Sequence, residues 1–324
     1  MLRYSYFFSI AYLLLVCSCN TSFDYYDLSF VQNPQVVLQA RLIARQSPRV
    51  YVSKLWGATE MFPKETFLRN AEVEFFEEGK SLGKLFLKDS LYVKPDCIIK
   101  ANTSYTIKVS VNGLPKVESY PVLIPADVEI ISATYNTAST FKGTSNSFAM
   151  PCLVNTTFKK NETIAGYGIN ILGYNKEGEH LKCYNENIEL GRQQVLIKSP
   201  CIFETYNVDV DLNGDIGSFT YSHNSYLSRC LDSPEKTVPI MVELKGNVLA
   251  NNSSNSTPKS KQSNRLIVCL TAVSNEVIEL SKTIKIVEGV TASLSEPYPT
   301  YSNVKGGLGI VTGHNVGYKI LTIK

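Results

Sequence analysis

The sequence predicts an all-β protein: two tandem antiparallel β-sandwich domains, Ig-like or transthyretin-like, behind a lipoprotein signal peptide. Three observations support this prediction. Apolar and polar residues alternate in short runs rich in valine, isoleucine, tyrosine and phenylalanine. Turn-forming residues separate these runs roughly every ten residues, and no long stretch keeps a helical period. A chain of 324 residues is long enough for two domains.

The first residues have the form of an export signal. Arg3 supplies a positive charge, and the apolar residues 4–16 are too few to cross a bilayer as a helix, which takes about 20. They lead into Val16-Cys17-Ser18-Cys19, where a small residue precedes the second cysteine as in the lipobox of bacterial lipoproteins. We predict a signal peptide over residues 1–18 and a lipid on Cys19. The alternatives are an ordinary secretory leader and an uncleaved anchor.

Residues 19–30 are predicted to be a lipidated tether and residues 31–125 the N-terminal β-sandwich. Asn112-Gly113 is a strong signal for a two-residue hairpin, because both residues tolerate positive φ. Pro121 and Pro125 bracket an extended segment that cannot lie centrally in a sheet, so we place the domain boundary there. The predicted strands are residues 35–43, 49–56, 71–76 and 105–111, the last paired with 116–122.

Residues 126–290 are predicted to be a second, larger β-sandwich. Residues 274–282 have a cap-like start and predict one helical stretch, and the Asn/Ser-rich residues 250–265 predict a loop. Residues 291–324 form a glycine-rich C-terminal segment ending in a predicted strand over 318–324. The other predicted strands are residues 127–135, 148–158, 166–175, 195–198, 219–221, 237–249, 266–274 and 283–287.

Six cysteines besides Cys19 remain after the predicted leader. An exported chain meets an oxidising environment, which permits disulfides, but six cysteines allow 15 pairings and the sequence does not choose among them. Buried thiols are the alternative to bridges. No CxxC is present, which argues against a redox motif or a zinc knuckle. The six are Cys97, Cys152, Cys183, Cys201, Cys230 and Cys269.

An acidic segment is the best candidate for a metal site. Asp209, Asp211, Asn213 and Asp215 are spaced like the first half of an EF-type calcium loop, with a glycine at the sharp turn. The twelfth position is Thr220, so the bidentate glutamate of such loops is missing. Calcium is therefore one hypothesis, and an Asx-stabilised turn between strands is the other. We expect no other cofactor.

The glycine-rich tail is the candidate contact for a ligand or a partner. Gly306, Gly307 and Gly309 allow positive φ and a close approach of backbone, and Tyr298 and Tyr301 beside them are amphipathic. Two interpretations are open. The tail is either a bulged strand that closes a sheet edge or a loop that meets a ligand or a transporter.

Two stretches carry a resemblance to a known family. The first is the order of RVYVSK from residue 49, NAEVEFFEEG from 70, YTIKV from 105 and VLIP from 122; the second is YSNVKGGLGI from 301. Behind a lipobox, this order resembles the Bacteroidota lipoproteins grouped as domain-of-unknown-function family 4249. The resemblance implies an outer-membrane lipoprotein, often encoded beside a TonB-dependent transporter, without established catalytic residues. Val311 follows Gly-Ile where the family commonly has an aromatic residue.

The first functional hypothesis is a non-enzymatic binding or accessory lipoprotein, anchored in the outer membrane and facing the surface rather than the periplasm. It would work with a TonB-dependent transporter in nutrient capture. The second is a surface adhesion or structural module, and the third a hydrolase with an unrecognised site near His223 and residues 209–215. His180, His223 and His314 show no metal-ligand spacing. The net charge of +3, without a long basic run, argues against nucleic acid.

Overall fold

A computed structural model describes residues 35–55, 67–137, 142–144, 147–174, 180–187, 201–210, 216–247, 265–289 and 301–323. The chain is mostly β, as the sequence predicted. The first-half strands are β1 (Val36–Ile43), β2 (Arg49–Lys54), β3 (Glu72–Glu77), β4 (Lys80–Lys88), β5 (Leu91–Val93), β6 (Ser104–Ser110), β7 (Val117–Ser119) and β8 (Val122–Leu123).

The described part of the second half is also built mainly of strands, together with one α-helix and a short 3-10 helix over Ser228–Cys230. They are β9 (Ile130–Thr137), β10 (Lys142–Thr144), β11 (Ser147–Lys159), β12 (Gly166–Tyr174), β13 (His180–Asn187), β14 (Ile202–Val210), β15 (Ile216–Leu227), β16 (Glu235–Asn247), β17 (Arg265–Val273), α1 (Asn275–Gly289), β18 (Val304–Lys305) and β19 (Leu308–Thr322).

The strands form a large curled mixed sheet, shaped like a half-barrel, and a small antiparallel sheet. The large sheet runs β5-β2-β1-β19-β17-β12-β13-β16-β11-β9, and β15 with β14 branches from β12. The small sheet contains β4, β3, β6, β7, β8 and β18, and β4 also pairs with β5. Strong right-handed twist makes a long sheet curl in this way.

Two large hydrophobic cores, with two smaller clusters beside them, are formed by the described residues. The first lies between β1 and β2 of the large sheet and β3 and β6 of the small sheet, and contains the fully buried Phe75 and Tyr105. The second lies inside the curl, where β12 and β17 face β11 and β16, and contains Phe158 and Tyr167. The chain passes from the first core to the second around Pro125.

The C-terminal strand β19 belongs to both cores. Its first half pairs in parallel with β1, from Val37 opposite Leu308 to Ile43 opposite His314. Its second half pairs antiparallel with β17, from Val273 opposite His314 to Arg265 opposite Thr322. The parallel pair corrects the expectation of a purely antiparallel fold. Residues 318–322 extend β19 and are not a separate strand.

Several local predictions are confirmed. The predicted pairing of residues 105–111 with 116–122 is present and places Val109 opposite Val117 and Tyr105 opposite Val122. The connection is longer than the two residues predicted: Asn112 and Gly113 are the centre of a β-turn closed by the Leu114 N–H and the Val111 carbonyl, and of the two only Gly113 has positive φ. The strands predicted at residues 35–43, 71–76, 148–158, 166–175 and 266–274 match β1, β3, β11, β12 and β17 within a few residues. Alternation with period two sets these strands because side chains of successive residues face opposite sides of a sheet.

The strand predicted at residues 283–287 is wrong. These residues belong to α1, which continues the helical stretch predicted from residue 274. The buried Val277 and Ile278 pack against Leu227 and Val273, and this packing sustains a helix into a β-branched segment. The predicted strand at 195–198 lies outside the described residues. Across the described part of the chain, no helix is long and apolar enough to cross a membrane.

Candidate functional site

The glycine-rich segment lies where β19 first meets β1. Gly306 and Gly309 have φ values of +78° and +122°, which residues with side chains rarely adopt. A Cβ on Gly309 would collide with the Leu38 carbonyl, one on Gly306 with the Lys116 carbonyl, and one on Gly307 with the Val36 carbonyl. All three glycines therefore approach backbone of the chain itself. This packing favours the strand that closes an edge, and contact with a ligand stays a prediction.

Asn303 fixes the glycine segment from inside. Its side chain is buried, and its Nδ2 donates to the Val311 carbonyl at 2.8 Å while its Oδ1 accepts from the Val311 N–H at 2.9 Å. The amide therefore imitates a strand neighbour and holds the two ends of the turn together. Asn303 is part of YSNVKGGLGI, but no local pattern predicts that Val311, eight residues away, is its hydrogen-bond partner.

Tyr301 links the same segment to α1. Its N–H donates to Thr283 Oγ1 at 3.3 Å, and its side chain is half-buried. Burial raises the pKa of its hydroxyl, and the nearby carboxylates of Glu276 and Glu279 raise it further. The ring is thus held as a neutral phenol beside the helix. Tyr298, its predicted companion, lies outside the described residues.

A polar cluster, missed by the sequence prediction, lies farther along β19, past the end of β1, where the chain passes between the two cores. The Arg45 guanidinium donates to Asp127 Oδ1 at 3.1 Å, to Asn315 Oδ1 at 3.0 Å and to the Val316 carbonyl at 2.5 Å. The buried Asn315 donates to the Pro125 carbonyl and to Asp127, each at 3.1 Å. Arg45 has a φ of +67°, which is uncommon for a residue with a side chain. The cluster thus connects β19 to the turn that follows the end of β1 and to the segment that leads into the second core.

His314 is buried at the same junction. Its Nε2 lies 3.0 Å from Thr312 Oγ1, and its Nδ1 has no hydrogen-bond partner within the described residues. Burial, followed by the charge of Arg41, lowers the pKa of His314 to about 3. The imidazole is therefore neutral at ordinary pH. His180 and His223 lie on β13 and β15, away from the described polar cluster in sequence, and the structure does not describe their side chains.

The predicted calcium segment connects two strands. Asp209 lies on β14 opposite Ser218 of β15, and Val210 is opposite Ile216. Asp211, Asn213 and Asp215 lie outside the described residues. Strands on both sides favour the turn hypothesis over an EF-type loop, which helices flank. Within the ranges that the structure describes, no group of three or more His, Cys, Asp or Glu side chains could hold a metal ion.

One disulfide closes the base of this β14–β15 hairpin. Cys201, just before β14, bonds to Cys230, just after β15. The Leu227 N–H donates to the Cys201 carbonyl at 2.9 Å beside it. Cys97, Cys152 and Cys269 are buried, and burial raises the pKa of the Cys97 and Cys152 thiols. A buried thiol with a raised pKa is unreactive, so the side chains of Cys97 and Cys152 serve packing. Cys19 lies outside the described residues.

Comparison with known proteins places the chain in a family without assigning an activity. No curated protein matches it. Among solved structures, the β-glucuronidase of Parabacteroides merdae is similar at 9% identity, over 75% of this chain and 24% of that chain, with a TM-score of 0.20. So low a score carries no argument about fold or function. The family model described as "Domain of unknown function (DUF4249)" matches residues 23–320. The chain therefore belongs to the DUF4249 family.

Proposed function

We propose that the protein is a non-enzymatic binding or accessory lipoprotein of the outer membrane, anchored through a lipid on Cys19. We propose further that it works with a TonB-dependent transporter in nutrient capture. The observation that carries the anchor is the sequence Val16-Cys17-Ser18-Cys19 after an apolar leader. The transporter follows from the family resemblance alone.

The disulfide between Cys201 and Cys230 supports an envelope location. Disulfides form and persist in oxidising compartments and are rare in the cytosol. A chain that is exported before it folds acquires such a bridge naturally.

The buried polar side chains around β19 form structural hydrogen bonds, which supports a binding role rather than catalysis. Asn303 and Asn315 have their side-chain amides committed to holding β19 in place. His314 is buried and neutral, so it is poorly placed to exchange protons with a substrate. Recognition would therefore come from the outer surface of a rigid scaffold.

We also propose that the two cores are two β-sandwich units joined by β19. Each core contains a buried tyrosine whose hydroxyl accepts a hydrogen bond from a backbone N–H a few residues upstream and whose ring contacts a phenylalanine. Tyr105 Oη accepts from the Lys100 N–H at 2.9 Å and its ring stacks on Phe75, with centroids 5.0 Å apart. Tyr167 Oη accepts from the Asn161 N–H at 2.6 Å and its ring contacts Phe158, also with centroids 5.0 Å apart. Sandwich domains use such a tyrosine corner near the start of a strand.

Mass spectrometry of the protein purified from its own membranes tests the anchor. We expect a mature chain that starts at Cys19 and carries acyl chains. A Cys19→Ala variant should keep its leader or leave the membrane fraction. A bare thiol or a retained leader on the wild-type protein contradicts the proposal.

Purification in mild detergent tests the transporter partnership. We expect a TonB-dependent transporter to copurify with the wild-type protein, and deletion of the gene to lower uptake of one nutrient. Absence of both effects contradicts this part of the proposal. Protease shaving of intact cells tests the expected surface orientation, because a periplasmic protein would be protected.

One observation favours the adhesion module as the second candidate. A single strand, β19, runs through both units, and such a connection makes a stiff spacer. In that case deletion would reduce attachment of cells to a surface and leave nutrient uptake unchanged.

A further inference from the structure

The chain enters the folded body at one end of the first unit. Gln35, the first described residue, accepts at its carbonyl from the Leu55 N–H at 2.8 Å, and Val36 lies opposite Lys54. Gly307 packs against the Val36 carbonyl, and Gly306 against the Lys116 carbonyl. The end of β2, the start of β7 and the β18–β19 turn therefore surround the point of entrance of the chain. We call this surface the tether face.

The tether face is basic and partly apolar. Leu55 and Leu308 are 37% and 39% exposed, which is high for leucine in a folded chain. Lys116 and Lys305 are exposed, and both lie at the β18–β19 turn that precedes Leu308: Lys305 is in β18, and the Lys116 carbonyl lies against Gly306. Across β7, the neighbouring carboxylate of Glu118 is paired with Lys108 at 3.3 Å. The described residues of this surface thus combine positive charge with exposed leucines. Such a combination suits a bilayer surface with anionic phosphate headgroups.

We infer that the tether face docks on the surface of the membrane that holds the lipid anchor. The inference rests on the proposed anchor at Cys19. The part of the chain that the structure describes begins at Gln35, which lies on this surface, so the tether face is the part of the folded body closest in sequence to the anchor. The partner is the bilayer itself, recognised through its phosphates and its acyl boundary.

The connecting chain is long enough that the anchor alone does not hold the folded body against the bilayer. Residues 19–34, if fully extended at about 3.5 Å each, reach roughly 55 Å. With a connecting chain of this length, the folded body could lie well away from the bilayer. The positive charge and the exposed leucines of the tether face, rather than the connecting chain, would hold the folded body at the membrane surface.

Docking also sets the orientation of the whole molecule. β1 runs away from the tether face, and β19 runs alongside it and onward into the second unit. Leu308 and Thr322 lie at opposite ends of β19, about 45 Å apart at the usual rise of a strand. The first unit therefore lies against the membrane and the second unit points away from it.

The chain contains a natural reporter for this contact. Trp56 is its only tryptophan and directly follows Leu55. The test uses the mature chain from residue 20, held through an N-terminal histidine tag on vesicles with nickel-chelating lipid. This attachment does not depend on Cys19, so the result is separate from the mass-spectrometric test of the anchor. Bromine-labelled lipids in the vesicles quench tryptophan that lies at the bilayer surface.

We expect quenching of Trp56 on phosphatidylcholine vesicles that contain phosphatidylglycerol, decreasing as salt is added. The K116E/K305E variant should lose more than half of the quenching while staying bound through its tag. The K159E/R265E variant has the same change of charge on exposed residues of the second unit, and should quench like the wild type. Unchanged thermal melting of both variants excludes misfolding. Weak quenching in the wild type, or an equal loss in both variants, would overturn the inference.

Discussion

At Gly309, the backbones of β19 and β1 come too close for any side chain. The residue has a φ of +122°, and a Cβ would strike the Leu38 carbonyl. The position therefore combines two penalties, an inaccessible backbone conformation and a collision with backbone that cannot move aside.

We expect Gly309→Ala to lower the free energy of unfolding by about 3 kcal/mol or more. Gly113→Ala is the matched control, because Gly113 also has positive φ (+77°) but no atom lies within 4 Å of its added Cβ. It should cost only about 1 kcal/mol. Urea unfolding measures both values. Equal losses in the two variants would show that the approach to Leu38 is not tight.

His314 makes stability depend on pH. Its pKa is about 3 in the folded protein and near 6.5 in the unfolded chain, so the unfolded state binds the proton more tightly. Stability is full above about pH 6.5 and is lost as the pH falls towards 3. The hydrogen bond from Lys100 lowers the pKa of Glu77 below its ordinary value, so this carboxyl binds protons only at a pH below the range of the test.

We expect the free energy of unfolding to fall by about 2 kcal/mol between pH 7 and pH 5. His314→Leu should remove most of this fall, because no proton can then bind at the junction. His223→Gln is the control variant and should keep the dependence. Urea titrations at a series of pH values measure the slope, and a flat wild-type profile would contradict the prediction.

At the scale of the element, the β14–β15 hairpin is held at its base by the Cys201–Cys230 disulfide and by pairing of Leu227 with Gly166 of β12. β15 pairs with β12 only from Gly166 to Gly168, and the β14–β15 pairing itself is irregular between Phe203 and Thr205. The cross-link therefore fixes an element that the sheet supports over only a few residues.

Removal of the disulfide in the C201S/C230S variant should cost about 3–4 kcal/mol, since the two cysteines are 29 residues apart in sequence. Dithiothreitol should lower the urea midpoint of the wild type to that of the variant and leave the variant unchanged. A further fall of the variant in dithiothreitol would show that a different bridge carries the stability.

At the scale of the whole molecule, β19 gives both cores a common wall. Of the residues of β19, Val311 belongs to the first core and Leu321 packs against the second, with the Arg45 cluster between them. If one unit unfolded alone, β19 would lose its pairing with either β1 or β17, so the two units are expected to unfold together.

We expect one cooperative thermal transition for the protein. Leu38→Ala and Leu270→Ala each remove a fully buried side chain, from the first and second core respectively, and each should cost about 2–5 kcal/mol. Each substitution should shift the whole calorimetric transition. Two peaks, of which only one responds to each substitution, would show that the units unfold separately.

The glycine segment was predictable from the sequence, whereas the Arg45 cluster was not. The glycines at 306, 307 and 309 were identified from their chemistry, because a need for positive φ or a close approach is written in the residue type. The Arg45 cluster was not, since its bonds join residues 82 to 271 positions apart. An arginine, an aspartate and an asparagine at such separations carry no local signal.

The sequence by itself determined that the chain is built of strands, and where many of them lie, because alternation and turn residues act between near neighbours. It also placed a turn at Asn112-Gly113, because the preference for a turn belongs to those two residue types. Only the tertiary structure decided that β19 pairs in parallel with β1, that residues 283–287 are helical and that Cys201 bonds to Cys230. These outcomes depend on surfaces meeting across long stretches of chain, and burial there outweighs local preference.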